Sequence, residues 1–218
     1  MSEARQSVFS YPGTGVEVTW DRRLCIHVGE CTRAGGEVFV SGRDPWGDPD
    51  RAGADAVADI VARCPTGALA IVRRDGGAPE VPPAENTVLV ANCGPLYAHG
   101  DLRVAGADPD MPGVRTRAAL CRCGLSSAKP FCDGSHEGAG FRDHGAIGAS
   151  DAAAEPSGGP LTITPAANGP LLLDGDVVLV SGSGRRAARV SKTALCRCGQ
   201  SANKPFCDGS HKAAGFVG

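Results

Sequence analysis

Short apolar runs separated by glycine and proline set the pattern of this chain. Thr87–Ala91, Asp101–Val104 and Val114–Leu120 carry β-branched or alternating apolar residues over strand-sized lengths. Leu161–Thr164, Leu171–Leu173, Asp176–Val180 and Ala188–Leu195 have the same character, and Val16–Thr19 and Leu69–Val72 add two strands near the start. Helical periodicity is clearest in Ala54–Cys64, where Val57, Ile60, Val61 and Cys64 share one stripe. The longest apolar runs, such as Ala68-Leu69-Ala70-Ile71-Val72, fall far short of the roughly 20 residues that cross a bilayer. The pattern predicts an α+β chain made of small, mostly β units.

Two of those units are copies. Residues 94–141 match residues 169–216 without a gap at a constant offset of 75, and 16 of the 21 positions from Cys121 to Phe141 are identical in the second copy. That self-similarity marks a duplicated module. The expected organisation is an N-terminal domain over 1–86, a first module over 87–145, a linker over 146–160 rich in Ala, Gly and Ser, and a second module over 161–218.

Composition then changes the picture. Glycine and proline supply 47 of 218 residues, whereas Trp, Tyr and Phe supply ten and cysteine another ten. So few large side chains argue against one large hydrophobic core and for small domains held by staples. The N-terminus, Met1 to Gln6, lacks the basic start and apolar stretch of a secretory leader, so the expected compartment is the cytoplasm. There, closely spaced cysteines read as metal ligands or reactive thiols, not disulfides. A net charge of −2 argues against nucleic acid as the main partner, and no membrane attachment is expected.

Within each module the candidate ligands are Cys121, Cys123, Cys132 and His136, repeated as Cys196, Cys198, Cys207 and His211. Three thiolates and an imidazole suit zinc or an iron–sulfur cluster. A structural zinc site usually opens with C-x2-4-C, and the C-x-C here is tighter. A binuclear cluster instead takes a pair on each iron. Asp133 and Asp208 are placed to cap a short helix that would set Cys132 and His136 on one face. Arg122, Arg197, Ser126 and Ser201 either tune the metal through hydrogen bonds or shape the loop, with Asp133 or Asp208 as possible ion-pair partners of the arginines.

The run from Cys121 through Gly124, Ser126, Pro130 and Cys132-Asp133-Gly134-Ser135-His136 resembles the CDGSH iron–sulfur family, and both copies fit its pattern at every fixed position. The resemblance implies a 2Fe-2S cluster in each copy, a β-rich cap, and pairing of the two copies within one chain, hence a monomer. A cluster with one imidazole is less negative than an all-cysteine one, so its potential should lie above the roughly −400 mV of plant-type ferredoxins. An accessible imidazole also invites proton-coupled reduction and cluster loss in mild acid.

The N-terminal domain holds Cys25-Ile26-His27-Val28-Gly29-Glu30-Cys31 and, later, Cys64-Pro65-Thr66-Gly67-Ala68-Leu69. Against the bacterial ferredoxin run of C-x2-C-x2-C with a distant C-P, Cys25, Cys31 and Cys64 are present and Val28 stands at the middle position. Residues 11–72 resemble divergent single-cluster ferredoxins. That implies a 3Fe-4S cluster on three cysteines, or a 4Fe-4S cluster with a further ligand. Cys93, opposite Asn168 in the repeat alignment, reads as a strand-end residue, with a fourth-ligand role as the alternative.

Electron transfer between three centres is the leading expectation, with a redox protein as partner. A carrier or redox and pH sensor that releases 2Fe-2S clusters to an apo-acceptor is the alternative, and a zinc-binding interaction module the third. No nucleotide loop or nucleophile–base arrangement is evident, so no enzymatic substrate site is expected.

Overall fold

The computed structural model describes residues 6–148 and 158–218. Most of the expected linker, residues 149–157, and residues 1–5 lie outside the described residues.

A three-stranded antiparallel sheet builds the N-terminal domain, in the order β1 (Val8–Pro12), β2 (Val16–Asp21) and β3 (Leu69–Arg73). Alternation explains β2: Val16 and Val18 are buried while Glu17 and Thr19 are less so. Between β2 and β3 come the one-turn α1 (Glu30–Arg33) and α2 (Ala54–Ala62). Helix α2 buries Val57, Ile60 and Val61, the expected stripe. It stops two residues short of Cys64 because Pro65 disfavours helical backbone in the residue before it.

Seven strands from the two modules form one mixed sheet. The first module supplies β4 (Thr87–Val90), β5 (Leu96–His99), β6 (Leu102–Val104) and β7 (Arg117–Leu120). The second supplies β8 (Leu161–Pro165), β9 (Leu171–Val180) and β10 (Arg186–Leu195). Each module pairs its own strands antiparallel, β4–β5–β7 and β8–β9–β10. The modules then exchange strands. Strand β4 runs parallel to the end of β9 with Thr87 opposite Val178, and β6 runs parallel to β8 with Arg103 opposite Thr162. Those two registers are the same pairing under the 75-residue offset, so the modules are related by a pseudo-two-fold axis. Asn86, buried at this seam, donates to the carbonyls of Gly159 (3.0 Å) and Asp176 (2.8 Å) and accepts from Asp101 N–H (2.9 Å).

Several expectations need correction. Strands β1 and β5 were not evident in the pattern, because each is short and ends at a turn residue. Leu171–Leu173 and Asp176–Val180 form one continuous β9, since β10 pairs with both halves of it. The strand expected over Val114–Leu120 begins at Arg117, after a 3-10 turn over Pro112–Arg115. The buried aliphatic residues of all three units, from Val16 through Leu96 to Leu195, form one continuous cluster and not three separate small cores. Leucine, valine and isoleucine do the filling that scarce aromatics cannot. The start of the expected linker is also anchored: Ile147 is buried and its carbonyl accepts from Arg185 (2.7 Å). Among the described residues no helix is long and apolar enough to cross a membrane.

Candidate iron–sulfur sites

In the first module the four candidate donors stand as two pairs. Cys121 Sγ lies 3.7 Å from Cys123 Sγ, and Cys132 Sγ lies 3.4 Å from His136 Nδ1. The second module repeats this, with 3.8 Å between Cys196 and Cys198 and 3.5 Å between Cys207 and His211 Nδ1. The C-x-C pair follows directly from the end of β7 or β10. The other pair is closed by the bridges Leu120 to Phe131 and Leu195 to Phe206 and by α3 (Ser135–Gly138) and α4 (Ser210–Ala213). Among the described residues no three or more His, Cys, Asp or Glu gather around one point as a single ion requires.

Backbone N–H groups are aimed at the sulfurs. Gly134 donates to Cys132 Sγ (3.5 Å), Gly209 to Cys207 Sγ (3.4 Å) and Gln200 to Cys198 Sγ (3.4 Å). Burial pushes the Cys132 thiol up to about 11 and also raises Cys198. Hydrogen bonding within the buried Cys121–Cys123 pair lowers Cys121 and raises Cys123, so the pair favours one thiolate over two. A thiol that coordinates a cationic metal centre is deprotonated outright, and such a centre resolves this cost. Soft donors in pairs, with amide donors facing the sulfurs, fit a binuclear iron–sulfur group.

The flanking residues are loop builders. Arg122 is buried beneath the Phe141 ring and donates to the carbonyl of Gly94 (2.7 Å) and to Asp143, not to Asp133. Its counterpart Arg197 lies over Phe216 and donates to the carbonyls of Gly169 (2.9 Å), Ala166 and Gly218 (2.7 Å each). Ser126 and Ser201 each donate to the carbonyl of the phenylalanine five residues on (2.7 Å) and so close the loop. Gly134 and Gly209, not the aspartates, occupy the helix N-caps. Asp133 instead accepts from Ser127 N–H (2.7 Å) and Ser135 N–H (3.0 Å), tying the loop to the one-turn helix. Hydrogen bonds from Ser210 and from the N–H of Ala202 hold Asp208 below the ordinary carboxylate range.

The N-terminal cysteines also converge. Cys25, Cys31 and Cys64 line one cavity of about 460 Å³, together with His27, Val28 and Thr66. Burial raises the Cys31 thiol, and the charges of Cys64 and Cys25 add to the shift. Tyr11, Trp20 and Trp46 form an aromatic wall, with Trp46 5.6 Å from Trp20 and 5.8 Å from Tyr11. Sequence reasoning missed this wall; the signal was that both tryptophans fall in the N-terminal domain. Cys93 is not part of the cavity lining. It sits in a left-handed turn after β4 with φ of 49°, as Asn168 does in the second module, and its N–H donates to the carbonyl of Asp143 (2.7 Å). His99 ends β5, and His144 lies against Asn92 (3.1 Å).

Comparison with known proteins finds matches over the segments that carry these residues. The family model described as "Iron-binding zinc finger CDGSH type" matches residues 93–137 and 168–212. A second model, "Divergent 4Fe-4S mono-cluster", matches residues 11–74. Over 59 residues the chain is 36% identical to the uncharacterized protein YjdI of Escherichia coli strain K12, and equally to its counterpart in strain O157:H7. That match covers 27% of this chain and 78% of either relative. No solved structure matches. The chain is an iron–sulfur protein that belongs to the CDGSH family, with two CDGSH modules in tandem behind a divergent mono-cluster domain.

Proposed function

We propose that the protein is an electron carrier with three centres. A 2Fe-2S cluster sits on Cys121, Cys123, Cys132 and His136, and another on Cys196, Cys198, Cys207 and His211. A 3Fe-4S or 4Fe-4S cluster sits on Cys25, Cys31 and Cys64. Such clusters supply reversible one-electron chemistry. The observation that carries the reading is the division of donors into pairs, repeated in both modules at nearly equal distances. His136 and His211 present Nδ1 to the neighbouring sulfur, so Nδ1 is the ligating nitrogen and Nε2 is left to other partners. Cytoplasmic placement and a redox-protein partner belong to the same proposal.

Iron and acid-labile sulfide content, with electron paramagnetic resonance of oxidised and reduced protein, tests it. The expected result is iron in all three sites and reversible reduction of each. An oxidised 3Fe-4S centre is paramagnetic and an oxidised 4Fe-4S centre ordinarily is not, so the same spectra settle the N-terminal centre. Stoichiometric zinc and no visible absorbance would sink the proposal. His136→Cys and His211→Cys should each lower one potential, because a thiolate adds negative charge.

Cluster delivery is a second reading, favoured by the exposure of the second module. Cys207 and His211 are only partly buried, whereas Cys132 and His136 are buried. Appearance of a 2Fe-2S spectrum on an added apo-ferredoxin would support delivery.

A further inference from the structure

The sulfur of Cys64 is met differently from the sulfurs of the modules. There, the residue two positions after the cysteine offers its backbone N–H: Gly134 to Cys132, Gly209 to Cys207 and Gln200 to Cys198. Pro65, directly after Cys64, has no N–H to offer. The residue two positions on is Thr66, and here a side-chain atom, Oγ1, stands 3.5 Å from Cys64 Sγ. Thr66 and Cys64 both line the N-terminal cavity with Cys25 and Cys31, and Thr66 is only 3% exposed. A hydroxyl buried this deeply needs its hydrogen bonds.

Donor and acceptor bookkeeping assigns the proton. A threonine hydroxyl carries one hydrogen and two lone pairs. Oγ1 of Thr66 accepts from Ala68 N–H (3.2 Å), which occupies a lone pair and leaves the hydrogen for the sulfur. A cysteine that ligates a metal is a thiolate, so it can only accept. The loop that carries the hydroxyl is also fixed at both ends. Cys64 N–H donates to the Val61 carbonyl (3.0 Å), and the Ala68 carbonyl accepts from Asp21 N–H (2.7 Å). Between them, Gly67 packs so tightly on Gly113 and on the Arg117 carbonyl that a Cβ would overlap their backbone. Arg117 itself donates to the carbonyls of Val61 and Leu69, on either side of the loop. The first module thus clamps the turn that aims Thr66 at the sulfur.

We infer that Thr66 is a positioning residue of the N-terminal site, acting through Cys64: its hydroxyl donates to the Cys64 sulfur and raises the reduction potential there. This rests on the electron-transfer reading above, with Cys25, Cys31 and Cys64 as ligands. A hydrogen bond to a ligating sulfur draws off negative charge, and the reduced state carries more of it. The donor therefore favours reduction. Because it is a side chain and not the backbone, it can be removed without altering the fold of the main chain.

The test uses the full, cluster-loaded chain, with each centre titrated separately by its paramagnetic resonance signal. Thr66→Val keeps the side-chain shape and removes the hydroxyl. It should make reduction of the N-terminal centre about tenfold less favourable, the scale of one hydrogen bond to a charged group. The two CDGSH centres should keep their potentials and so serve as internal standards. Thr66→Ser restores the hydroxyl and should return the N-terminal potential to that of the parent. Equal potentials in Thr66→Val and the parent, or an equal fall in Thr66→Val and Thr66→Ser, overturn the inference. Thr66→Val also leaves Ala68 N–H without its acceptor, so a second measurement avoids that variant. Iron–sulfur stretching frequencies of the N-terminal centre should shift in deuterated water in both the parent and Thr66→Ser; no shift in either overturns the inference. If the N-terminal centre of the parent does not take and return an electron, the electron-transfer reading falls and this inference with it. Reversible reduction that ignores residue 66 overturns the inference alone.

Discussion

Where the first module has Arg117, the second has Lys192, and the two residues live in different surroundings. The Arg117 side chain is 3% exposed and is held by Val61, Leu69 and Glu80; the Lys192 side chain is 80% exposed, with Asp174 3.5 Å away. The same contrast recurs nearby. Gly113 lies so close to Gly67 that a Cβ on either would overlap the other's backbone, while its counterpart Ala188 is an ordinary buried strand residue. Next to this face the second module extends a hairpin of β9 and β10, with register shifts at Ala188 and Lys192, and the first has a loop and 3-10 turn. The donor pairs of the two modules keep spacings within 0.1 Å of each other, whereas the outer faces differ. Duplication preserved what holds the cluster. Docking of the N-terminal domain remade one surface only.

Exchanging residues between the modules breaks that comparison most sharply. Gly113→Ala puts the second module's residue into the Gly67 contact. It should cost about 2–4 kcal/mol, because backbone and not a flexible side chain blocks the new carbon. Denaturant unfolding would read this, and the reciprocal Ala188→Gly should cost about 1 kcal/mol or less. A Gly113→Ala chain as stable as the parent would mean that the close approach is not needed.

Arg117→Lys is next. A lysine cannot keep the forked bonds to two carbonyls and Glu80, so a loss of about 2 kcal/mol is expected. Lys192→Arg should change stability by less than about 0.5 kcal/mol at its exposed site. Equal effects at the two positions would remove the distinction between the faces.

Iron removal probes the ligands. A chelator should strip the second module several-fold faster than the first, since Cys207 and His211 are the more exposed donors. His211→Ala should remove the fast phase and His136→Ala the slow one; a single phase in the parent would count against unequal shielding.

The smallest effect is expected at Leu172→Ala. Its side chain is 44% exposed, so loss of stability should stay near or below about 1 kcal/mol. Tyr97→Ala, at a part-buried position of β5, should cost more in thermal unfolding.

Legibility followed the length scale of the interactions. The ligand loop could be read because much of it is local: Ser126 and Asp133 make their bonds within the 16 residues from Cys121 to His136. Helix α2 could be read because Pro65 stops it and its apolar stripe has helical period. The partner of Arg122 could not, because Asp143 lies 21 residues away, beyond the repeat's identical core. Cys93 was ambiguous for the same reason: its backbone turn, not its thiol, explains its place.

The sequence by itself determined three cysteine sets, a duplication and a strand-rich chain, since spacing and repeats need no third dimension. Nine of the ten cysteines could be sorted into groups before any contact was known. Tertiary structure alone decided how those groups stand relative to one another. Parallel pairing of β4 with β9 and of β6 with β8 brings the C-x-C loops together, and a glycine contact brings the N-terminal cavity against one module and not the other. Such pairings join residues 46 to 91 positions apart through backbone hydrogen bonds and steric fit, neither of which leaves a local pattern in the chain.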